Sequence, residues 1–156
     1  MMGRGHVARV ETLAAGAVTR QVLGRLVVET RGPGFTEITA SVAVFLAESG
    51  IANGLAVLLC RHTSASLLIQ ENADPDVQRD LATALDRLAP RHAGYVHDAE
   101  GPDDMPAHIR AMLTGVSLAI PIVAGRLALG TWQGIYLAEH RDRLHRREIV
   151  INLNGA

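Results

Sequence analysis

Apolar and polar positions change period several times along the chain. Over residues 19–30, Val22, Leu26 and Val28 fall on one parity and Leu23 and Val27 on the other, which predicts a strand ended by the turn residues of 31–34. Ile38, Val42, Phe45, Leu46 and Ser49 then recur at helical spacing, with Thr36 placed to cap the helix and Gly50 to stop it. Residues 54–61 are apolar on both parities, the pattern of a strand covered on both faces. A bend near His62 leads to a short strand over 66–70. Asp74 caps the next helix, Pro75 takes its first position, and Val77, Leu81, Leu85 and Leu88 form its buried stripe.

Residues 91–105 form a long polar loop, and loops of that length often carry function. Residues 106–114 read as a short helix with Ile109, Met112 and Leu113 inward and Gly115 as its stop. Strands follow over 116–123, 126–129, 131–140 and 145–153, and their short turns predict consecutive antiparallel pairing. The order of elements predicts an α+β domain with helices against one side of a largely antiparallel sheet. Residues 1–17 show no period and read as a weakly ordered arm before a single domain over 18–156.

Composition narrows the classes. Hydrophobic residues make up 48% and charged residues 20%, which fits one globular domain and argues against disorder. A net charge of −1 gives no global attraction to nucleic acid or to an acidic membrane. Every basic residue is arginine, which excludes a Schiff-base lysine, a phosphate loop of the GxxxxGK type and a lysine general base. Cys60 is the sole cysteine, so no internal disulfide forms and a reducing compartment is favoured. No apolar run reaches membrane-span length, and a cytoplasmic protein is expected.

Polar groups concentrate in HTSASLLIQENADPD, residues 62–76. His62, Thr63, Ser64, Asn72 and Asp74 lie there between an apolar strand and a capped helix, where rigid neighbours position side chains. Asp74 has a sufficient duty as N-cap, and no GxSxG elbow accompanies the hydroxyls. His97 lies in the acidic loop beside Asp98, Glu100, Asp103 and Asp104, a set that serves either solubility or a divalent cation. His108 falls in the first turn of its expected helix, whose positive end favours the neutral imidazole that binds metal or takes a proton. The spacing of the three histidines matches no short metal motif, so any shared site must be assembled by folding, and it is expected near Asn72 and Trp132. Trp132, Gln133 and Glu139 belong to a strand whose Gly130 and Gly134 mark close approach by a backbone or a ligand. Arg141, Arg143, Arg146 and Arg147 read as a solvated edge, since no aromatics interleave them.

Three stretches together, HTSASLLIQENADPD, YVHDAEGPDDMPAHIRAMLTG and GRLALGTWQGIYLAEHR, resemble the YjbQ-like family. Its members are commonly described as secondary thiamine-phosphate synthase enzymes, and otherwise as proteins of unknown function. The resemblance covers residues 19–153 and implies an α+β sandwich of about seven strands with helices packed outside, assembled as a homotrimer. It also implies a polar pocket in which His62, Asn72, His97 and His108 are catalytic and Thr63, Ser64, Asp74, Trp132, Gln133 and Glu139 bind the ligand. The implied transferase joins hydroxymethylpyrimidine diphosphate to thiazole phosphate and releases pyrophosphate; "secondary" implies an incidental activity. Diphosphate departure wants a divalent ion, magnesium or zinc, which His62, His97 and His108 are expected to hold. Without lysine, cationic help must come from arginines such as Arg61, Arg110 or Arg126, and no organic cofactor is expected. The expected partner is a small phosphorylated metabolite, with neither nucleic acid nor membrane. The alternatives are a non-catalytic trimeric metal- or ligand-binding protein and a structural protein whose polar residues serve trimer contacts.

Overall fold

Two antiparallel sheets share the β residues unequally. The computed structural model describes residues 8–156; the first seven residues of the expected arm lie outside them, and 8–19 carry no regular structure. The first sheet holds β1 (Arg20–Thr30), β8 (His145–Gly155), β3 (Gly54–Cys60), β5 (Ser117–Val123) and β6 (Arg126–Leu127), in that order. The second holds β2 (Gly34–Glu37), β7 (Gln133–Glu139) and β4 (Ala65–Glu71). All pairings are antiparallel. The architecture is thus α+β, with three helices among the described residues: α1 (Thr39–Ser49), α2 (Pro75–Leu88) and α3 (Asp104–Thr114).

The core lies between the sheets. Ala56, Leu58, Ile120, Ile122, Ile149, Ile151 and Leu153 from the first sheet meet Ala65, Leu67, Ile135 and Leu137 from the second. Val42 and Leu46 of α1 complete it, and Cys60 is buried there as a free thiol. β3 and β8 come close enough at Gly54 and Gly155, which are register partners, that a Cβ on Gly54 would stand 2.0 Å from the carbonyl oxygen of Asn154. Backbone cannot yield as a side chain does. Gly54→Ala should therefore cost about 3 kcal/mol or a little less, near the upper end of overpacking penalties, measurable as a lower urea midpoint.

Several expectations are corrected. The last four strands do not pair consecutively. β5 and β6 form a hairpin through Ala124 and Gly125, both at positive φ, but β7 crosses to the second sheet and β8 inserts between β1 and β3. The reason is burial: every residue of β7 after Gln133 is buried, which needs the middle position between two partners. Its β2 side is supplied by Gly34–Glu37, so Thr36 pairs with Leu137 instead of capping a helix. α1 starts at Thr39, whose hydroxyl donates to Glu37 Oε1 (2.9 Å) and accepts the N–H of Ile135 (2.8 Å). α3 begins two residues before its expected start, and its buried face is Asp104, Pro106, Ala107, Arg110 and Ala111; Met112 and Leu113 are exposed. Two of those buried residues are ionic and mutually inaccessible to a reading by hydrophobicity alone.

α2 obeys its caps, with Asp74 Oδ1 accepting the N–H of Asp76 (2.9 Å) and Pro75 in the first turn. Its stripe is only half covered: Val77, Leu81 and Leu85 are half-buried and Leu88 is exposed. The outer face of the first sheet is also bare, with Leu23 and Leu59 exposed and the Oδ1 of Asn152 buried without a hydrogen-bond partner among the described residues. Among the described residues, no helix is long and apolar enough to cross a membrane.

Candidate functional site

α3 places Asp104 and His108 one helical turn apart, on the same face. Asp104 Oδ2 lies 2.7 Å from His97 Nε2 and 3.3 Å from His108 Nε2. The two imidazole rings are 5.4 Å apart between centroids. One ligand atom from each of His97, Asp104 and His108 falls within 4.8 Å of the others. Ligands around a tetrahedral ion, bound at about 2.0–2.1 Å, are separated by about 3.4 Å, so small shifts would seat one.

His108 is oriented for this task. Its Nδ1 lies 3.0 Å from the carbonyl oxygen of Thr63, which can only accept. Nδ1 therefore carries the hydrogen, and in the neutral ring Nε2 presents its lone pair towards Asp104, as in metal-binding histidines whose other ring nitrogen donates to a carbonyl. Asp104 is buried, and Arg141 NH1 donates to its Oδ1. Arg141 also donates from Nε to Asp103 Oδ2 (2.9 Å) and from NH2 to the carbonyl of Glu100 (3.0 Å). Burial pushes the Asp103 carboxyl up, but the N–H of Asp142 and the Arg141 guanidinium outweigh it and hold that carboxyl below its ordinary value. His97 is the open side of the cluster and faces a cavity of about 440 Å³ also lined by Tyr95, Asp98 and Pro106.

Within one chain the three histidines do not form one shell. His62 Nε2 accepts the N–H of Glu148 (2.8 Å) and lies outside the ligand cluster. Burial and the nearby Arg147 push its pKa down. His108 belongs to the second turn of α3, because the helix starts earlier than its proline implied.

Asn72, Trp132 and Gln133 lie elsewhere. β4 and β7 run in register from Ala65 opposite Glu139 to Glu71 opposite Gln133, six residue steps or about 20 Å. Thr63 and Glu139 stand at one end of that ladder and Asn72, Trp132 and Gln133 at the other, so within one chain the expected convergence near the indole does not occur. At the far end Asn72 donates to Glu37 Oε1 (3.2 Å), Gln133 Oε1 accepts the N–H of Gly130 (2.7 Å), and Trp132 is exposed.

Glu139 and Ser64 serve a buried network. Glu139 accepts from Arg147 Nε (2.7 Å) and NH2 (2.6 Å), from Thr30 Oγ1 (2.6 Å) and from the N–H groups of His140 and Arg141 (2.9 Å each). Burial raises its pKa, but these donors prevail and keep it below the usual carboxylate range. Ser64 Oγ accepts from Arg147 NH2 (3.1 Å). Beside them His140 Nε2 lies 2.8 Å from Ser66 Oγ, fully inside the protein. His140 is not singled out by the sequence; Ser66 reads there only as one hydroxyl among three and Asp104 as one acid among four. Arg141 and Arg147, expected on a solvated edge, are instead engaged inside the protein with Asp103, Asp104 and Glu139. Asp104 had a legible signal, four residues before His108; His140 had none, since only folding pairs it with Ser66.

Comparison with known proteins adds kinship. The family model described as "UPF0047 protein YjbQ-like" matches residues 25–156. A Synechocystis relative, UPF0047 protein sll1880, is 48% identical over 144 residues, covering 92% of this chain and 98% of its own. The YjbQ protein of Escherichia coli O157:H7 is 43% identical over 131 residues, covering 83% of this chain and 95% of its own. The crystal structure of an uncharacterized conserved protein of the yjbq/upf0047 family from Clostridium acetobutylicum, 41% identical, covers 83% of this chain and 98% of its own with a TM-score of 0.77.

Proposed function

As this chain belongs to the YjbQ-like UPF0047 family, we propose that it is a metal-assisted enzyme acting on a small phosphorylated metabolite at the His97–Asp104–His108 cluster. The observation that carries this reading is the pairing of His108 Nδ1 with the Thr63 carbonyl, which frees Nε2 beside a buried carboxylate and a second imidazole. Two nitrogens and one carboxylate suit zinc better than magnesium, which prefers an all-oxygen shell. A bound divalent ion supplies charge stabilisation to a departing phosphate or activates water. Thiamine-phosphate synthesis, named by the resemblance, is one incidental reaction that such a centre is able to support. Where no ion is bound, His97, half-exposed and hydrogen-bonded to Asp104, is placed for proton transfer at the open side.

Metal analysis of untagged protein tests this reading. One divalent ion per chain is expected, lost at least tenfold in affinity on His108→Ala, with little change in melting temperature. Wild-type protein that binds no divalent ion would remove the reading. Screening phosphorylated metabolites with the loaded protein then separates turnover from binding.

A second reading, a non-catalytic trimeric binding protein, draws on the bare outer face of the first sheet. Exposed Leu23 and Leu59 together with the orphaned Asn152 Oδ1 favour cover by another copy, and the resemblance makes the number three. Sedimentation should give a trimer at micromolar concentration; a stable monomer there refutes the assembly. A cytoplasmic location fits this proposal.

A further inference from the structure

Arginine gathers where the outer face of the first sheet approaches His62. Arg146 NH1 lies 2.8 Å and Arg25 NH1 3.6 Å from Glu148 Oε1, and Arg61 NH1 lies 3.5 Å from Oε2. One carboxylate cannot neutralise three guanidinium groups. Glu29 stands opposite Arg146 in register, and among the described residues it makes no ion pair with it. Each of the three arginine side chains is more than half exposed, so a solute anion can reach them. Like charges held together in this way repel until an anion sits among them.

This patch is joined to the ligand cluster by three consecutive residues. The N–H of Arg61 donates to the carbonyl of Glu148 (3.1 Å), His62 Nε2 accepts the N–H of Glu148, and the carbonyl of Thr63 accepts Nδ1–H of His108. The Cα atoms of Arg61 and Thr63 are at most about 7.6 Å apart, two trans-peptide steps. Because His62 Nε2 accepts, Nδ1 carries the hydrogen in the neutral ring. A cavity of about 550 Å³ opens along Glu29, Arg31, His145 and Arg146, and of the three arginines only Arg146 lines it. The arginines near the cluster, by contrast, are engaged: Arg141 with Asp103 and Asp104, and buried Arg110 of α3 with Asp86 and the carbonyl of Ala89.

We propose that Arg25, Arg61 and Arg146 form an anion site that holds the phosphate of a phosphorylated small molecule. The planar guanidinium fork matches phosphate oxygens two at a time, which a lysine patch would not. The assignment of the reacting centre rests on the proposed function; the anion site rests on the arginines alone.

Calorimetric titration of the full-length protein with inorganic pyrophosphate, after chelator treatment, tests the patch. Binding should weaken about tenfold or more in Arg61→Ala and in Arg146→Ala, the loss expected for a charge-assisted hydrogen bond. It should be unchanged in Arg79→Ala, an exposed arginine of α2 paired with Asp76. Affinity should also fall as salt rises. His108→Ala should retain the arginine-dependent binding even where divalent metal is lost. If wild-type protein binds pyrophosphate without metal and the arginine variants bind it equally well, the proposal is overturned. Absence of any metal-free binding overturns it too. It also fails if the arginine variants only dissociate an oligomer, which would make the patch a contact between copies. Arginine-dependent binding in a protein that takes up no metal would sustain the anion site and remove only the metal reading.

Discussion

Replacing Arg147 with alanine should cost about 3–5 kcal/mol, enough to unfold much of the protein near physiological temperature. Arg147 and Glu139 are both almost fully buried, with NH2 2.6 Å and Nε 2.7 Å from the two carboxylate oxygens. Removing the guanidinium leaves a buried carboxylate whose remaining donors are one hydroxyl and two backbone N–H groups. It also strips Ser64 of its donor, at the chain segment that carries Thr63 to His108. Urea unfolding at neutral pH measures the loss. Arg147→Met, which fills similar volume, should not rescue stability while Glu139 remains, because the orphaned charge and not the cavity dominates. The double variant Arg147→Met with Glu139→Gln should recover part of it. A single variant within about 1 kcal/mol of wild type would show that the network contributes little.

Much of the fold was legible because local chemistry and tertiary context agreed. Asp74-Pro75 gave the start of α2, Gly50 closed α1 in the left-handed region, and the apolar run of β3 lies in a sheet interior between β8 and β5. Failures occurred where context decided. Thr36 looks like a cap, yet β7 needed a partner on its open side and took Gly34–Glu37 as a strand. Short turns imply hairpins, yet the Leu129 to Trp132 connection carries the chain from one sheet to the other. At the site, His97 and His108 were visible as imidazoles in polar context, and Asp104 as one of four acids nearby. What singled Asp104 out was burial, and a buried carboxylate is indistinguishable in sequence from a solvated one. Polar groups at element ends point Asn72 and Trp132 towards the histidines, whereas within one chain the seven residues of β4 separate Asn72 and Trp132 from them along the sheet.

Acid should weaken this protein before its carboxylates titrate, and His140 is the reason. The ring is buried against Ser66, and burial, reinforced by the nearby Arg110, pushes its pKa down to about 4 from an ordinary 6.5. Below pH 6.5 the unfolded chain takes up a proton that the folded chain refuses until about pH 4. The neutral ring thus contributes its full stabilisation above pH 6.5, and that contribution is lost as pH falls from 6.5 to about 4. Over the whole window the loss is about 3 kcal/mol, and about 2 kcal/mol of it falls between pH 7.5 and 5. His62 shifts in the same direction but is partly exposed, so its share is smaller. Glu139, held below the usual carboxylate range, adds a further loss only in stronger acid. Urea unfolding of wild type and His140→Gln at pH 7.5 and pH 5 isolates the imidazole, because glutamine does not titrate and its amide still reaches Ser66. The wild type should lose about 2 kcal/mol more than the variant over this interval. Equal losses in the two proteins would mean that His140 is protonated in the folded state at pH 5, with a pKa near its ordinary value.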